Sequence, residues 1–156
     1  MVLGSGQVSY SAWVATLPQP SQPVSLPVSS GDVVQVSISQ QSTGTWQVVI
    51  ANQTTGQRYQ ATVQYSSTLS SVEWIEEAPS TSNLRIVTLD NFNSVQIQGN
   101  AVASGKQLTI AGAGSQAITM YGRTGQPLAS PPDLSADGTR FTVSRGDSGS
   151  RAGTAR

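Results

Sequence analysis

The sequence has no cysteine and no histidine in 156 residues. Without thiols there is no disulfide framework, no thiolate nucleophile and no cysteine-ligated zinc or iron–sulfur site. Without imidazole, Ser-His-Asp and Cys-His chemistry are excluded, together with most zinc sites. Charge is scarce as well: eight basic and eight acidic residues make up 10% of the chain, against about 25% in ordinary domains. The formal net charge is zero. No basic stripe offers nucleic acid or an anionic membrane an electrostatic footprint. No apolar run approaches the roughly 20 residues that span a bilayer, and Met1 to Gly6 lacks the basic and apolar regions of a signal peptide. Any catalysis must run on carboxylates, amides, hydroxyls and backbone donors, with no cofactor. The acids Asp133, Asp137 and Asp147 are scattered in loops without the spacing of a calcium loop, so no metal site is expected.

What fills the space left by charge is Ser, Thr, Gln and Asn. A surface of that kind keeps its character at low pH. A fold with few carboxylates also loses little stability when they are protonated, which is the main route to acid denaturation. The composition therefore points to acid tolerance. The length suits a single domain with one core, expected over residues 1–145, with 146–156 a disordered Gly/Ser/Arg tail.

Period-2 alternation runs along most of the chain. Gln7 to Leu17 reads as a first strand, halted by Pro18, Pro20 and Pro23, with an extended connector to Pro27. Val33 to Ser39 places Val34, Val36 and Ile38 on one face. Thr45 to Ala51 aligns Trp46, Val48 and Ile50. Gln57 to Tyr65 turns Tyr59, Ala61, Val63 and Tyr65 inward and Arg58, Gln60, Thr62 and Gln64 outward. Asn52 to Gly56 is a hairpin-type connection between the last two. Leu84 to Leu89, Ser94 to Gln98, Gln107 to Ala111, Ala117 to Tyr121 and Thr139 to Val143 are further strand candidates, the last entered through an Asp137-Gly138 turn. No helical periodicity exceeds a turn or two. About ten short strands with frequent turns predict an all-β antiparallel sandwich. Outward rows such as Gln60, Thr62 and Gln64 would either line a groove for an extended peptide or glycan, or form a solvated face.

The most unusual stretch is Ser71 to Pro79, S-V-E-W-I-E-E-A-P, which carries Glu73, Glu76 and Glu77. As an extended segment it puts Glu73, Ile75 and Glu77 on one face and Val72, Trp74 and Glu76 on the other. An aliphatic side chain sharing a face with two acids has two readings: a rim strand with a solvated acidic face, or a cleft in which Glu73 is a working carboxylate. Glu76 would be solvated or paired with an arginine such as Arg58 or Arg85. Of the three tryptophans, Trp46 is expected in the core, and Trp13 either in the core or lining a groove.

Four segments in order carry a resemblance: Y-S-A-W at Tyr10 to Trp13, V-S-S-G-D-V-V at Val28 to Val34, N-Q-T-T-G-Q at Asn52 to Gln57, and V-E-W-I-E-E-A-P at Val72 to Pro79. D-G-T-R-F-T-V at Asp137 to Val143 adds a fifth. Together they resemble the glutamic peptidases (eqolisins), in particular bacterial members, over about residues 7–143. The resemblance implies a concanavalin A-like β-sandwich with a substrate groove on one sheet. It also implies extracellular, acid-optimum endopeptidase chemistry run by a Glu and Gln pair on a polypeptide substrate. Glu73 falls on the family's catalytic Glu and Glu77 on the second acid of that segment, while Trp13 falls on a tryptophan near the groove; Gln60 and Thr62 are further groove candidates. The family's catalytic Gln lies roughly a dozen residues before the Y-x-A-W tyrosine, in a strand expected to be lacking here, since Met1 stands nine residues before Tyr10. Ala15 and Leu17 replace a groove carboxylate and a tyrosine. The alternative expectation is a non-catalytic sandwich module, or an inactive truncated relative, that binds peptide or glycan. Open sheet edges would favour self-association.

Overall fold

A computed structural model describes residues 8–78, 89, 92–122, 124–131 and 133–146. The Leu84–Leu89 strand candidate falls outside these residues except for Leu89, as do Arg85 and the tail beyond Gly146. The chain divides into two compact units, Met1–Ser70 and Ser71–Arg156. Apart from one short 3-10 turn at Ala111–Ala113, every regular element among the described residues is a strand, and every pairing is antiparallel. No helix among them is long and apolar enough to cross a membrane.

The first unit holds strands β1 (Trp13–Val14), β2 (Gln22–Pro23), β3 (Val34–Ser42), β4 (Thr45–Asn52) and β5 (Arg58–Gln64). β3, β4 and β5 form a three-stranded sheet in that order, joined by tight turns whose Gly44 and Gly56 have φ of 75° and 74°, a backbone that favours glycine. Register puts Val36 opposite Ile50, and Ile50 opposite Tyr59. One face of the sheet is therefore apolar across all three strands. Leu26, Val48 and Ile50 are its buried centre, covered by Ala12, Val14, Val24 and Val28. That cover reaches β4 and β5 but leaves β3 bare: Val36 is 58% and Ile38 65% exposed.

The expected first strand, Gln7 to Leu17, shrinks to Trp13–Val14 because its partner is β2, which lies in the proline-rich connector. Pro20 and Pro23 have no N–H to extend a ladder. The connector itself is more than a spacer, since it delivers Leu26 to the core. Trp46 is half-buried rather than engulfed, and its indole N–H donates to the Tyr65 carbonyl at 3.0 Å. Tyr65, expected to face inward, is 40% exposed.

Asn52 ties the unit together. At 1% exposure it is the most buried polar side chain described, and each of its polar atoms is used. Its Nδ2 donates to the Pro27 carbonyl at 3.1 Å and to Asp32 Oδ2 at 2.7 Å. Its Oδ1 accepts from the Thr54 and Thr55 amides at 3.1 and 3.2 Å. The same Asp32 oxygen accepts the Ser29 amide at 2.8 Å, and Thr54 Oγ1 accepts the Val33 amide at 2.9 Å. S-G-D and N-Q-T-T-G-Q, distant in sequence, are two halves of one clasp. Asp32 is thus a structural acid in a turn, as its place beside Gly31 suggests.

The second unit holds β6 (Ser94–Gln98), β7 (Asn100–Ala103), β8 (Lys106–Thr109), β9 (Met120–Tyr121), β10 (Pro127–Ser130) and β11 (Arg140–Arg145). Four of these form a sheet in the order β6-β11-β10-β9, while β7 and β8 make a separate hairpin. Phe141 lies opposite Ile97 and Val143 opposite Val95. Val143, Ala129 and Leu89 form the buried centre, with Ile97, Phe141, Met120 and Ala78 packed on it.

Candidate functional site

The acidic segment Ser71 to Ala78 is not part of any ladder, contrary to the expected strand. Its side chains nevertheless alternate as an extended chain would. Trp74, Glu76 and Ala78 are half-buried, and Glu73, Ile75 and Glu77 are exposed. Ile75, which shares the face of the two acids, is 51% exposed, and Val72 joins it on the outside at 52%. Trp74 and Ala78 both anchor the inner face. Ala78 packs on the Val143 cluster, and the Trp74 indole lies directly on Gly99, which is buried between β6 and β7. Glu73 and Glu77 follow as the two acids this arrangement turns to solvent.

Gly99 is itself fixed. Its amide donates to the Thr139 carbonyl at 3.0 Å. Thr139 belongs to the turn that leads into β11, and that turn is built around Asp137. Oδ1 of Asp137 accepts from Ser135 Oγ at 2.5 Å, from the Thr139 amide at 3.1 Å and from Thr139 Oγ1 at 2.9 Å. Arg140 stands 3.7 Å from the other carboxylate oxygen. Gly138, with φ of 68°, packs so tightly that an added methyl carbon would stand 2.7 Å from Ala111 Cβ. The hydrogen bonds from Ser135 and Thr139, with a smaller contribution from Arg140, pull the Asp137 pKa down to about 2.

A depressed carboxyl pKa has a definite sign in stability. The contribution of Asp137 is present above its unfolded value of about 3.9 and is lost as pH falls toward about 2. Asp137→Asn should therefore lower the urea midpoint at pH 5. Its deficit should shrink between those two pH values and vanish below the lower one. Urea melts of both proteins across that range check this; a deficit that persists undiminished in strong acid would mean the carboxylate charge is not what matters.

The remaining candidates belong to the first unit. Gln60 and Thr62 are exposed on β5 and stand opposite Val49 and Gln47 of β4, on the face of the sheet away from its core. Trp13 is 55% exposed, while its neighbours Ala12 and Val14 pack against that core from the other side. Trp13 and the Gln60/Thr62 pair therefore look out on opposite sides of the first unit and share no groove wall. A shallow depression of about 380 Å³ on the Gln60 side is lined by Gln35, Ser37, Gln53 and Arg58, and one of about 310 Å³ lies between the β1–β2 ribbon and β5. Neither is lined by Glu73. Arg58, one candidate partner for Glu76, donates to Gln60 Oε1. The Asn52 clasp and the Gly99 seat were not anticipated from sequence; the only signal for the first was the co-occurrence of a turn aspartate and a turn asparagine.

Three solved structures share this arrangement of strands. Aspergilloglutamic peptidase from Aspergillus niger superposes with a TM-score of 0.76 at 25% identity, over 90% of this chain and 82% of that one. Scytalido-glutamic peptidase, bound to a transition state analog inhibitor, gives 0.68 at 21% identity, over 88% and 70%. The same enzyme with a peptide-based analog gives 0.67 at 21%, over 90% and 71%. None of the curated proteins matches the sequence. The all-β antiparallel architecture expected from the strand pattern is thus that of the glutamic peptidases. The sequence profile of the Peptidase A4 family matches residues 1–145, so the chain belongs to the Peptidase A4 family.

Proposed function

We propose that the protein is an acid endopeptidase acting outside the cell on polypeptides, with Glu73 as general base. One observation carries the reading: the family's acidic motif is held with Trp74 inward and the Glu73 carboxylate facing solvent. A carboxylate remains a usable base in mild acid, where imidazole would be protonated. Glu73 takes a proton from a water whose oxygen attacks the scissile carbonyl carbon. The proton then passes to the amide nitrogen as the carbon–nitrogen bond breaks. The oxyanion needs a neutral donor, a role for an amide N–H2 at any pH. In the family that donor is a glutamine, and no described residue of this chain is assigned to it.

The neutral amide face around Gln60 and Thr62, with the Gln53 and Gln35 side chains joined at 2.8 Å, favours one alternative: a module that holds an extended peptide or glycan without cutting it. Casein at about pH 4 decides between the two. Pepstatin-resistant cleavage, reduced at least about a hundredfold by Glu73→Gln, is the expected result. Intact casein with the wild-type chain ends the peptidase reading, and retention of casein in a pull-down would then favour the binding module.

A further inference from the structure

We infer that Gly99 is a positioning residue: it is the seat on which Trp74 rests, and through Trp74 it fixes the segment that presents Glu73 and Glu77. This deepens the peptidase reading and rests on it.

Segment 71–78 has no strand partner among the described residues, so the side chains that face inward are what pins the carboxylates on it. Their position matters, because a displacement of about 1 Å in a reacting group costs about a hundredfold in rate. The pins are the inward residues, and Trp74 is the largest of them. A methyl carbon added at Gly99 would stand 2.5 Å from Trp74 Cε2 and 3.0 Å from Cδ1, well inside the about 3.5 Å of ordinary carbon contact. The indole thus occupies the volume that any side chain at position 99 would need. The opposing atoms are those of a rigid, half-buried ring next to Glu73 in the chain.

The seat is braced from beneath. Gly99 is anchored through its amide to the Thr139 carbonyl, and Thr139 is anchored twice to Asp137. A continuous path therefore runs from the β11 turn through Gly99 and the Trp74 ring to the backbone of Glu73. Each link is a hydrogen bond or a direct contact within one unit. The lowered Asp137 pKa of about 2 leaves the carboxylate ionised in mild acid, so the hydrogen-bonded brace holds under the conditions in which Glu73 would work.

The experiment labels the full chain with 5-fluorotryptophan and compares wild type, Gly99→Ala, Trp74→Leu and the double variant. Fluorine NMR reads the three tryptophans, and carbon-detected NMR reads the Glu73 carboxyl, assigned with Glu73→Gln. In Gly99→Ala the Trp74 and Glu73 resonances should move while Trp13 and Trp46 stay. In a background of Trp74→Leu, which introduces no clash and itself moves the Glu73 signal, Gly99→Ala should add nothing further. In peptide hydrolysis kcat should fall about tenfold or more in Gly99→Ala with KM nearly unchanged. Unmoved Trp74 and Glu73 resonances, or an equal effect of Gly99→Ala with and without the indole, would overturn the assignment. A wild-type chain that does not hydrolyse peptide refutes the peptidase reading instead, and the resonances still decide the seat.

Discussion

Replacing Asn52 with alanine should remove about 3 kcal/mol of stability, a large share of what a domain this size possesses. The side chain is 1% exposed and makes four hydrogen bonds. Its loss takes the partner from the Pro27 carbonyl and from the amides of Thr54 and Thr55 in part-buried bonds, and empties a site that is itself buried, so a cavity adds to the lost bonds. It also releases Asp32 from its principal side-chain donor. Asn52→Asp should be comparably damaging despite its shape, because an oxygen would replace Nδ2 against the Asp32 carboxylate. Urea melts at pH 6 measure both. A loss below about 1 kcal/mol in Asn52→Ala would mean that the two halves of the clasp hold without it.

The second large effect concerns β3. Its row of Val34, Val36 and Ile38 lies uncovered, its outer edge is unpaired among the described residues, and no charge occurs from Val33 to Gln57. Natural edges are usually blunted by charge, proline or a bulge, and here the single bulge lies at the far end, between Gln40 and Ser42. The partner such an edge suits is a second copy of the strand. Antiparallel pairing about Val36 sets Val36 against Val36 and Val34 against Ile38, keeps all apolar side chains on one face and brings no like charges together. The contact is small, which makes it weak and concentration-dependent. Sedimentation should show a monomer–dimer equilibrium that Val36→Lys shifts at least about tenfold toward monomer. A monomer at all concentrations would show that β3 does not recruit its own copy.

What could be read from the sequence depended on how local the cause was. β3, β4 and β5 were legible because alternation and the glycine turns between them act over a few residues. The acidic segment shows the limit. Its alternation is real, yet no strand among the described residues pairs with it, since alternation requires only an apolar floor on one side. That floor includes a bare glycine, a contact with no signature in composition. β10 was missed because it opens on Pro127 and is short. β7 was missed although Ser104 and Gly105, with φ of 50° and 73°, make the tight turn into β8; an Asn-Ala-Val-Ala strand offers a single branched side chain to notice. The site fared less well than the fold. Glu73 was singled out by its motif, but nothing in the motif shows that Trp13 and Gln60 face opposite ways.

The placement of the tryptophans gives the chain its own instrumentation. Trp13 and Trp46 belong to the first unit and Trp74 to the second. Trp46 reports on the register of β4 and β5 through its bond to Tyr65, and Trp74 reports on the Gly99 contact. Fluorescence from single-tryptophan variants would therefore time the opening of each unit separately. Coincident transitions would mean that the two halves melt as one cooperative body; separated ones would make each a foldon with its own midpoint.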